Sequence, residues 1–302
     1  MNENLDYLIN EQEAPADKAQ GERLSPEEYA AKKDAERNEV YAMADETAQA
    51  VASSGEKFGQ YLATLSKFEL YSPTNTLLIF AQSPDATRLR DYDKWRESGN
   101  PVKRGEHGIK ILEREDYEKD GKKGYNFNIK KLFDIRQTNA KQPEAARSYD
   151  IKNLVKALMK TTHCKIVLVD ELSGDAKGTA GAQYLPGETD RIEVTKGLDG
   201  NSLFCCLSQE IALASLAQID PDKLPCKDIN FTAYAASYTL CKKYGVDTKT
   251  FDFTDTPEYF ADIAEDKVKG EIGAIRDTVA DMAGAISKTL EQQKAAKNQE
   301  AR

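Results

Sequence analysis

The sequence predicts an α+β protein: a helical and β-hairpin N-terminal part, a second part of helices and short strands, and a long C-terminal helix. Three observations carry this reading. Apolar residues recur at helical spacing through most of residues 25–98. Two turn-rich segments, Asp120-Gly121-Lys122-Lys123-Gly124 and Pro186-Gly187-Glu188-Thr189-Asp190, each sit between strand-like runs. Near the end, Val268, Ile272, Ile275, Val279, Met282, Ile286 and Leu290 repeat at intervals of three and four. The expected organisation is a disordered acidic segment 1–24, a first domain 25–138, a polar linker 139–148, a second domain 149–263, and a C-terminal amphipathic helix and tail, 264–302.

The elements follow from local chemistry. Ser25-Pro26-Glu27-Glu28 is a helix start with a capping box, and the helix runs to about Ala52. Ser53-Ser54-Gly55 breaks it, and a second helix places Phe58, Tyr61, Leu62, Leu65 and Phe68 on one face. Ser72-Pro73 caps a third, Thr74 to Gln82, too apolar to lie on a surface. A short helix Tyr92 to Ser98 ends at Gly99-Asn100-Pro101, and strands Gly108 to Glu115 and Tyr125 to Gln137 follow. The second domain opens with helix Ile151 to Thr161 and strand Lys165 to Val169. Ala182 to Leu185 and Arg191 to Val194 then form a hairpin. Helices Ser202 to Ala217 and Asp228 to Tyr244 follow, with Gly245 as C-cap.

Composition removes several classes of function. At 302 residues, 31% charged and with a mean hydropathy of −0.65, the chain has no stretch suited to a membrane span. Met1 to Glu22 lacks a basic segment followed by an apolar one, so a cytoplasmic location is expected. The five cysteines, Cys164, Cys205, Cys206, Cys226 and Cys241, include no C-x-x-C pair and read as buried reduced thiols. The two histidines, His107 and His163, lie far apart, so neither a metal nor another cofactor is expected. Net charge is −9, yet Arg88 to Arg136 holds 14 Lys and Arg against 10 Asp and Glu. A locally basic patch in an acidic chain can still follow a phosphate backbone; a mixed charged surface is the plainer reading.

Two motifs carry the functional reading. The first is Tyr71-Ser72-Pro73-Thr74-Asn75-Thr76-Leu77-Leu78, then Gln82, Trp95 and Gly99, then Val102-Lys103-Arg104-Gly105-Glu106-His107-Gly108-Ile109-Lys110-Ile111-Leu112, and finally Phe133-Asp134-Ile135-Arg136-Gln137-Thr138. This resembles the N-terminal domain of ArdC-type antirestriction proteins of plasmids and conjugative transposons, over roughly residues 40–138. The resemblance implies single-stranded-DNA binding. Basic side chains along the backbone and aromatic faces against bases suit that role. The candidate contacts are Lys103, Arg104, Lys110, Lys130 and Lys131 with Tyr71, Asn75 and Trp95; Tyr125 and Phe127 are further stacking faces. The structural alternatives are a core Trp95, glycines 105 and 108 serving a tight turn, and Asn75 and Gln82 as buried hydrogen-bonding anchors.

The second motif is Leu207-Ser208-Gln209-Glu210-Ile211-Ala212-Leu213. It has the frame of H-E-x-x-H, in which two histidines one turn apart grip zinc and the glutamate is general base. The chain here resembles the ImmA/IrrE-like, LtrC-like zinc metallopeptidase domain, with Phe231-Thr232-Ala233-Tyr234 standing where that family supplies its acidic third ligand. Gln209, Leu213 and Tyr234 thus occupy all three ligand positions. The resemblance implies a degenerate zincin-like domain with no catalytic residues, and Glu210 left as a helix-polar or buried hydrogen-bonding group. The expected function is non-catalytic binding of single-stranded DNA that protects or assists transferred DNA. The alternative is a protein-interaction module holding a partner at the degenerate cleft or C-terminal helix.

Overall fold

In the computed structural model the described residues are 25–119, 121–141, 149–173 and 181–300. The segment 1–24 expected to be disordered, linker residues 142–148 and the turn residue Asp120 lie outside them. The chain divides into two compact units, residues 1–39 and Val40–Arg302. In the first, Ser25 starts helix α1 (Pro26–Ala52) through the expected capping box: Glu28 N donates to Ser25 Oγ at 3.2 Å and the Glu28 carboxylate accepts from Ser25 N at 2.8 Å.

The second unit contains the C-terminal end of α1 and the remaining elements. Helices α2 (Gly55–Phe68) and α3 (Pro73–Gln82) begin where Ser54 and Ser72 accept from backbone amides, and Pro73 occupies the first turn. Strand β1 (Leu89–Arg90), helix α4 (Tyr92–Glu97) and the hairpin strands β2 (Ile109–Lys119) and β3 (Lys122–Asp134) follow. They form a sheet of order β1-β3-β2, antiparallel throughout. Both hairpin strands extend further toward the turn than expected: Lys119 pairs with Lys122, and Gly121 takes the left-handed φ of 72° that a two-residue turn needs. Residues 135–137, expected to continue β3, are a 3₁₀ turn. Asp134 ends the strand by accepting from Arg136 N while Gln137 Oε1 accepts from Asp134 N.

Helix α5 (Ile151–Met159) leads to strands β4 (Lys165–Val169), β5 (Ala182–Leu185) and β6 (Arg191–Thr195), ordered β4-β6-β5. β5 and β6 form the expected hairpin, and β4 runs parallel to β6. Helices α6 (Gly200–Leu216) and α7 (Ile229–Tyr244) are capped by Asp199 and Asp228, and Gly245 closes α7 at φ 73°. Short α8 (Thr256–Phe260) precedes the long α9 (Glu265–Glu300).

The boundary expected at 139–148 does not separate two cores. Phe58, Tyr61, Leu62 and Leu65 of α2 belong to the same buried cluster as Leu154, Ile192, Phe204, Ile211 and Leu240. The approach is close enough that a Cβ on Gly55 would lie 2.0 Å from Phe253 O. The apolar stripe of α9 is buried in this cluster from Val268 to Ile286, so its own chain covers the face that could have taken a partner. Arg276 on α9 donates through Nε to Tyr71 O at 2.7 Å, fastening the helix to the α2–α3 turn.

The hairpin is held to α3 by two side-chain amides. Asn75 Nδ2 donates to Leu112 O and Asn75 Oδ1 accepts from Leu112 N, both at 2.8 Å. Gln82, two turns on, does the same with Lys110 O and N, again at 2.8 Å. β2 is an edge strand, and these amides satisfy outward backbone groups that a neighbouring strand would otherwise take. Replacing Asn75 with alanine strands the buried Leu112 donor and acceptor. Asn75→Ala is expected to cost about 1–3 kcal/mol by urea denaturation with an unchanged m value, whereas a loss under about 0.5 kcal/mol would show that water replaces the clamp.

Candidate nucleic-acid interface

Four expected cations gather at the clamped end of the hairpin. Lys103 and Arg104 are exposed on the turn before β2, whose Gly105 takes φ 87°. The turn is pinned from below: Lys103 N donates to Gln137 O at 2.8 Å, Lys103 Nζ to Arg136 O at 3.0 Å, and Gln137 Nε2 to His107 O at 2.8 Å. Gly108 is required for close packing, since a Cβ there would fall 2.8 Å from Lys131 Cβ and 3.0 Å from Phe133 Cζ. Lys110 is the direct register partner of Lys131. Like charges facing each other across a strand pair are unfavourable, and among the described residues no carboxylate forms an ion pair with Lys103, Arg104, Lys110 or Lys131.

Lys130 differs, because it is ion-paired with Glu113. Together with Tyr71, Arg90, Lys94 and Arg114 it lines a cleft of about 370 Å³ beside this edge. Tyr71 is half-buried and packs edge-on to Phe68 at 5.9 Å. Burial raises its phenol pKa, with Lys130 opposing, so the ring is neutral. Further out, Tyr117 and Tyr125 are 46% and 54% exposed, and the Arg114 guanidinium lies 4.4 Å from the Tyr125 ring centre. Phe127 is partly buried against the cluster of Val40, Ala44, Leu78 and Leu112.

Two expected contacts are corrected. Trp95 is 2% exposed and its Nε1 donates to Phe133 O at 2.8 Å, with Arg90 and Arg88 over the ring at 5.2 and 5.9 Å. Packing and these arginines cover the indole, which offers no face to a base. Asn75 is consumed by the β2 clamp. Arg88 and Arg90 were missed by the sequence reading. Their signal was an Arg-Leu-Arg-Asp run in which alternation sends both arginines to one side.

The degenerate helix offers no zinc donor set. Leu213 has no lone pair to give. The Tyr234 ring packs on Phe251 and Phe253, its hydroxyl oxygen accepts from Asp252 N at 2.7 Å, and burial keeps the phenol neutral. Gln209 is buried, and among the described residues its Oε1 has no partner; an amide oxygen is in any case a weak zinc ligand. The chemistry of a metal at these positions therefore does not fit the residues present. Glu210 is a buried hydrogen-bonding group: 2% exposed, its Oε2 accepts from Tyr184 N at 2.7 Å and ties α6 to edge strand β5.

Residues 37–157 match the family model of the N-terminal domain of anti-restriction factor ArdC. Over that segment the chain is of ArdC type. The match runs past residue 138 into α5, in keeping with a core shared across the expected linker. Two crystal structures of the antirestriction ArdC protein from plasmid R388 are similar, both at 16% identity. The metal-free one covers 75% of this chain and 86% of its own at a TM-score of 0.47. The Mn(II)-bound one covers 73% and 85% at 0.49. No curated protein matches the chain.

Asp134, in the ArdC-type Phe-Asp-Ile-Arg-Gln-Thr run, anchors the cationic segment. Its buried carboxylate accepts from Thr87 N at 2.7 Å, Arg88 N at 2.9 Å and Arg136 Nε at 2.7 Å. Burial opposes ionisation, but these donors outweigh it and the pKa falls below its ordinary 3.8. A lowered folded pKa contributes stability above the ordinary value, lost as pH falls through it. Asp134→Asn should therefore flatten the stability–pH curve below about pH 4 in acid titrations; curves of equal slope would place the acid dependence elsewhere. At the degenerate helix, Tyr234→Glu puts a carboxylate among Phe251 and Phe253 and should lower stability by about 1–3 kcal/mol. A variant melting with the wild type would mean that position 234 faces water.

Proposed function

We propose that this chain binds single-stranded DNA along the 103–110 turn and the Lys110–Lys131 pair, serving an antirestriction role in the transfer of mobile DNA without peptidase chemistry. The supporting observation is the facing pair of lysines with no acidic partner. A phosphate between them converts a repulsive cross-strand pair into two charge-assisted hydrogen bonds. The exposed turn of Lys103 and Arg104 continues the same edge, and Tyr71 and Tyr125 provide rings nearby for splayed bases. The ArdC N-terminal match spans every one of these residues. The second segment contributes the shared core and α9 that hold the hairpin. With Leu213 and Tyr234 in place of ligands, Glu210 has no metal-bound water to activate.

Anisotropy of a labelled oligonucleotide at two or more salt concentrations tests this. Single strands should bind more tightly than duplex, and log K should fall linearly with log salt at about −0.7 per phosphate contact. The double variant Lys103→Ala/Arg104→Ala should lower affinity and flatten that slope by roughly one unit. Lys131→Ala should weaken binding yet leave the unliganded protein as stable or more stable, by about 0.2–1 kcal/mol, because it removes the facing like charge. An unchanged salt slope in these variants would remove the edge from any DNA interface. Turnover of peptide substrates that depends on added zinc would overturn the non-catalytic reading.

A further inference from the structure

We infer that the chain holds a second-domain metal site unrelated to the degenerate helix, built from His163, Cys164 and Asp190 for a borderline divalent ion of the zinc type. His163 and Cys164 immediately precede β4, and Asp190 immediately precedes β6. The two strands pair in parallel with Lys165 opposite Arg191, and Lys165 N donates to Asp190 O at 3.0 Å. The sheet ladder therefore fixes the three residues against one another.

Their ligand atoms already converge. His163 Nε2 is 3.9 Å from Cys164 Sγ and 3.6 Å from Asp190 Oδ2, and all three atoms lie within 4.8 Å of one another. Zinc bonds of about 2.0–2.3 Å place tetrahedral ligands roughly 3.3–3.8 Å apart, so closure needs side-chain adjustments of tenths of an ångström to about one. One imidazole, one thiol and one carboxylate form an N, S, O set that suits zinc over magnesium or calcium.

The carboxylate is also oriented from behind, as metal-binding carboxylates are. Tyr184 Oη donates to Asp190 Oδ2 at 3.0 Å and Gly187 N to Oδ1 at 3.1 Å. These bonds, with His163 beside them, hold the Asp190 pKa below its ordinary value, so the group is anionic and ready. Cys164 is buried while His163 is exposed, giving a soft ligand at the base and an entrance from solvent. The Gln218 amide lies 2.5 Å from His163 Nε2 and must yield to an arriving ion. Three protein ligands leave a fourth position for water.

Cobalt(II) titration of the full chain, kept reduced with a non-chelating phosphine, reads the site directly. One equivalent should give the visible bands of tetrahedral cobalt and a thiolate-to-cobalt charge-transfer band, both abolished by one equivalent of zinc. Affinity should rise with pH, because the thiol and imidazole must lose their protons. Cys164→Ser should erase the charge-transfer band and weaken binding at least ~100-fold. Asp190→Asn, a partly exposed change, should keep the band but weaken binding by at least ~10-fold. Cys205→Ser should change neither; it removes the other close thiol pair, Cys205 and Cys241, whose sulfurs are 3.4 Å apart. Absence of cobalt binding by the wild type, a charge-transfer band that survives Cys164→Ser, or one that vanishes in Cys205→Ser would each overturn the assignment.

Discussion

Everything proposed for the hairpin depends on two carboxamides of α3. Asn75 and Gln82 stand two turns apart on one helical face, and Leu112 and Lys110 present outward groups from alternate positions of an edge strand. Each amide gives one donor and one acceptor, so it behaves toward β2 as a strand residue would. The match closes the edge without another strand and without charge. It also sets the height and angle of the turn that carries Lys103 and Arg104, because that turn ends one residue before the clamped strand begins. The outer half of the hairpin, beyond Leu112, has no such fastening and exposes Tyr117 and Tyr125.

The clamp is only as rigid as the helix behind it, and α3 is buried from both sides. Leu77 faces the large cluster shared with α6 and α7, while Ile79 and Leu78 face the hairpin. A helix that has lost its zinc-binding residues thus remains the centre of the core. Eleven residues of α6 are buried, and Ser208 and Ser237 hydrogen-bond at 2.7 Å between α6 and α7. Removing α6 would expose the apolar surface on which α2 and α9 rest. Packing demand alone is sufficient reason for the frame to persist with its metal ligands replaced, since Leu213 and Tyr234 fill space that a hydrated cavity would leave weak.

Much of this was legible in the chain because caps and apolar spacing are local signals. Ser54, Ser72, Asp199 and Gly245 mark their helix ends without reference to any other segment. β1, with two residues, and α8, with five, carry too little periodicity to be seen. The shared core was missed because a polar linker looks like a domain boundary whichever faces the flanking helices bury. Side-chain roles failed where they depend on a distant partner. Asn75 and Trp95 read as ligand-facing by residue type, yet their partners, Leu112 and Phe133, lie 37 and 38 positions away. The same limit hid the approach of Asp190 to His163, which exists only through the parallel register of β4 and β6.

Charge pairing explains how a chain of net charge −9 can present a basic edge. Around the outer hairpin and α4 the cations are answered locally: Lys130 by Glu113, Arg114 by Asp116, Lys94 by Asp91 and Arg96 by Asp93. Such exposed pairs add little stability, but they cancel the field beyond a few ångströms. Lys103, Arg104, Lys110 and Lys131 are left without that cancellation. At physiological salt the Debye length is about 8 Å, so their potential reaches a strand lying on the edge and little further. Acidic surface elsewhere then repels polyanions that approach in other orientations. The balance favours recognition by contact over long-range capture, and makes the facing lysines, rather than overall charge, the determinant of where a phosphate backbone settles.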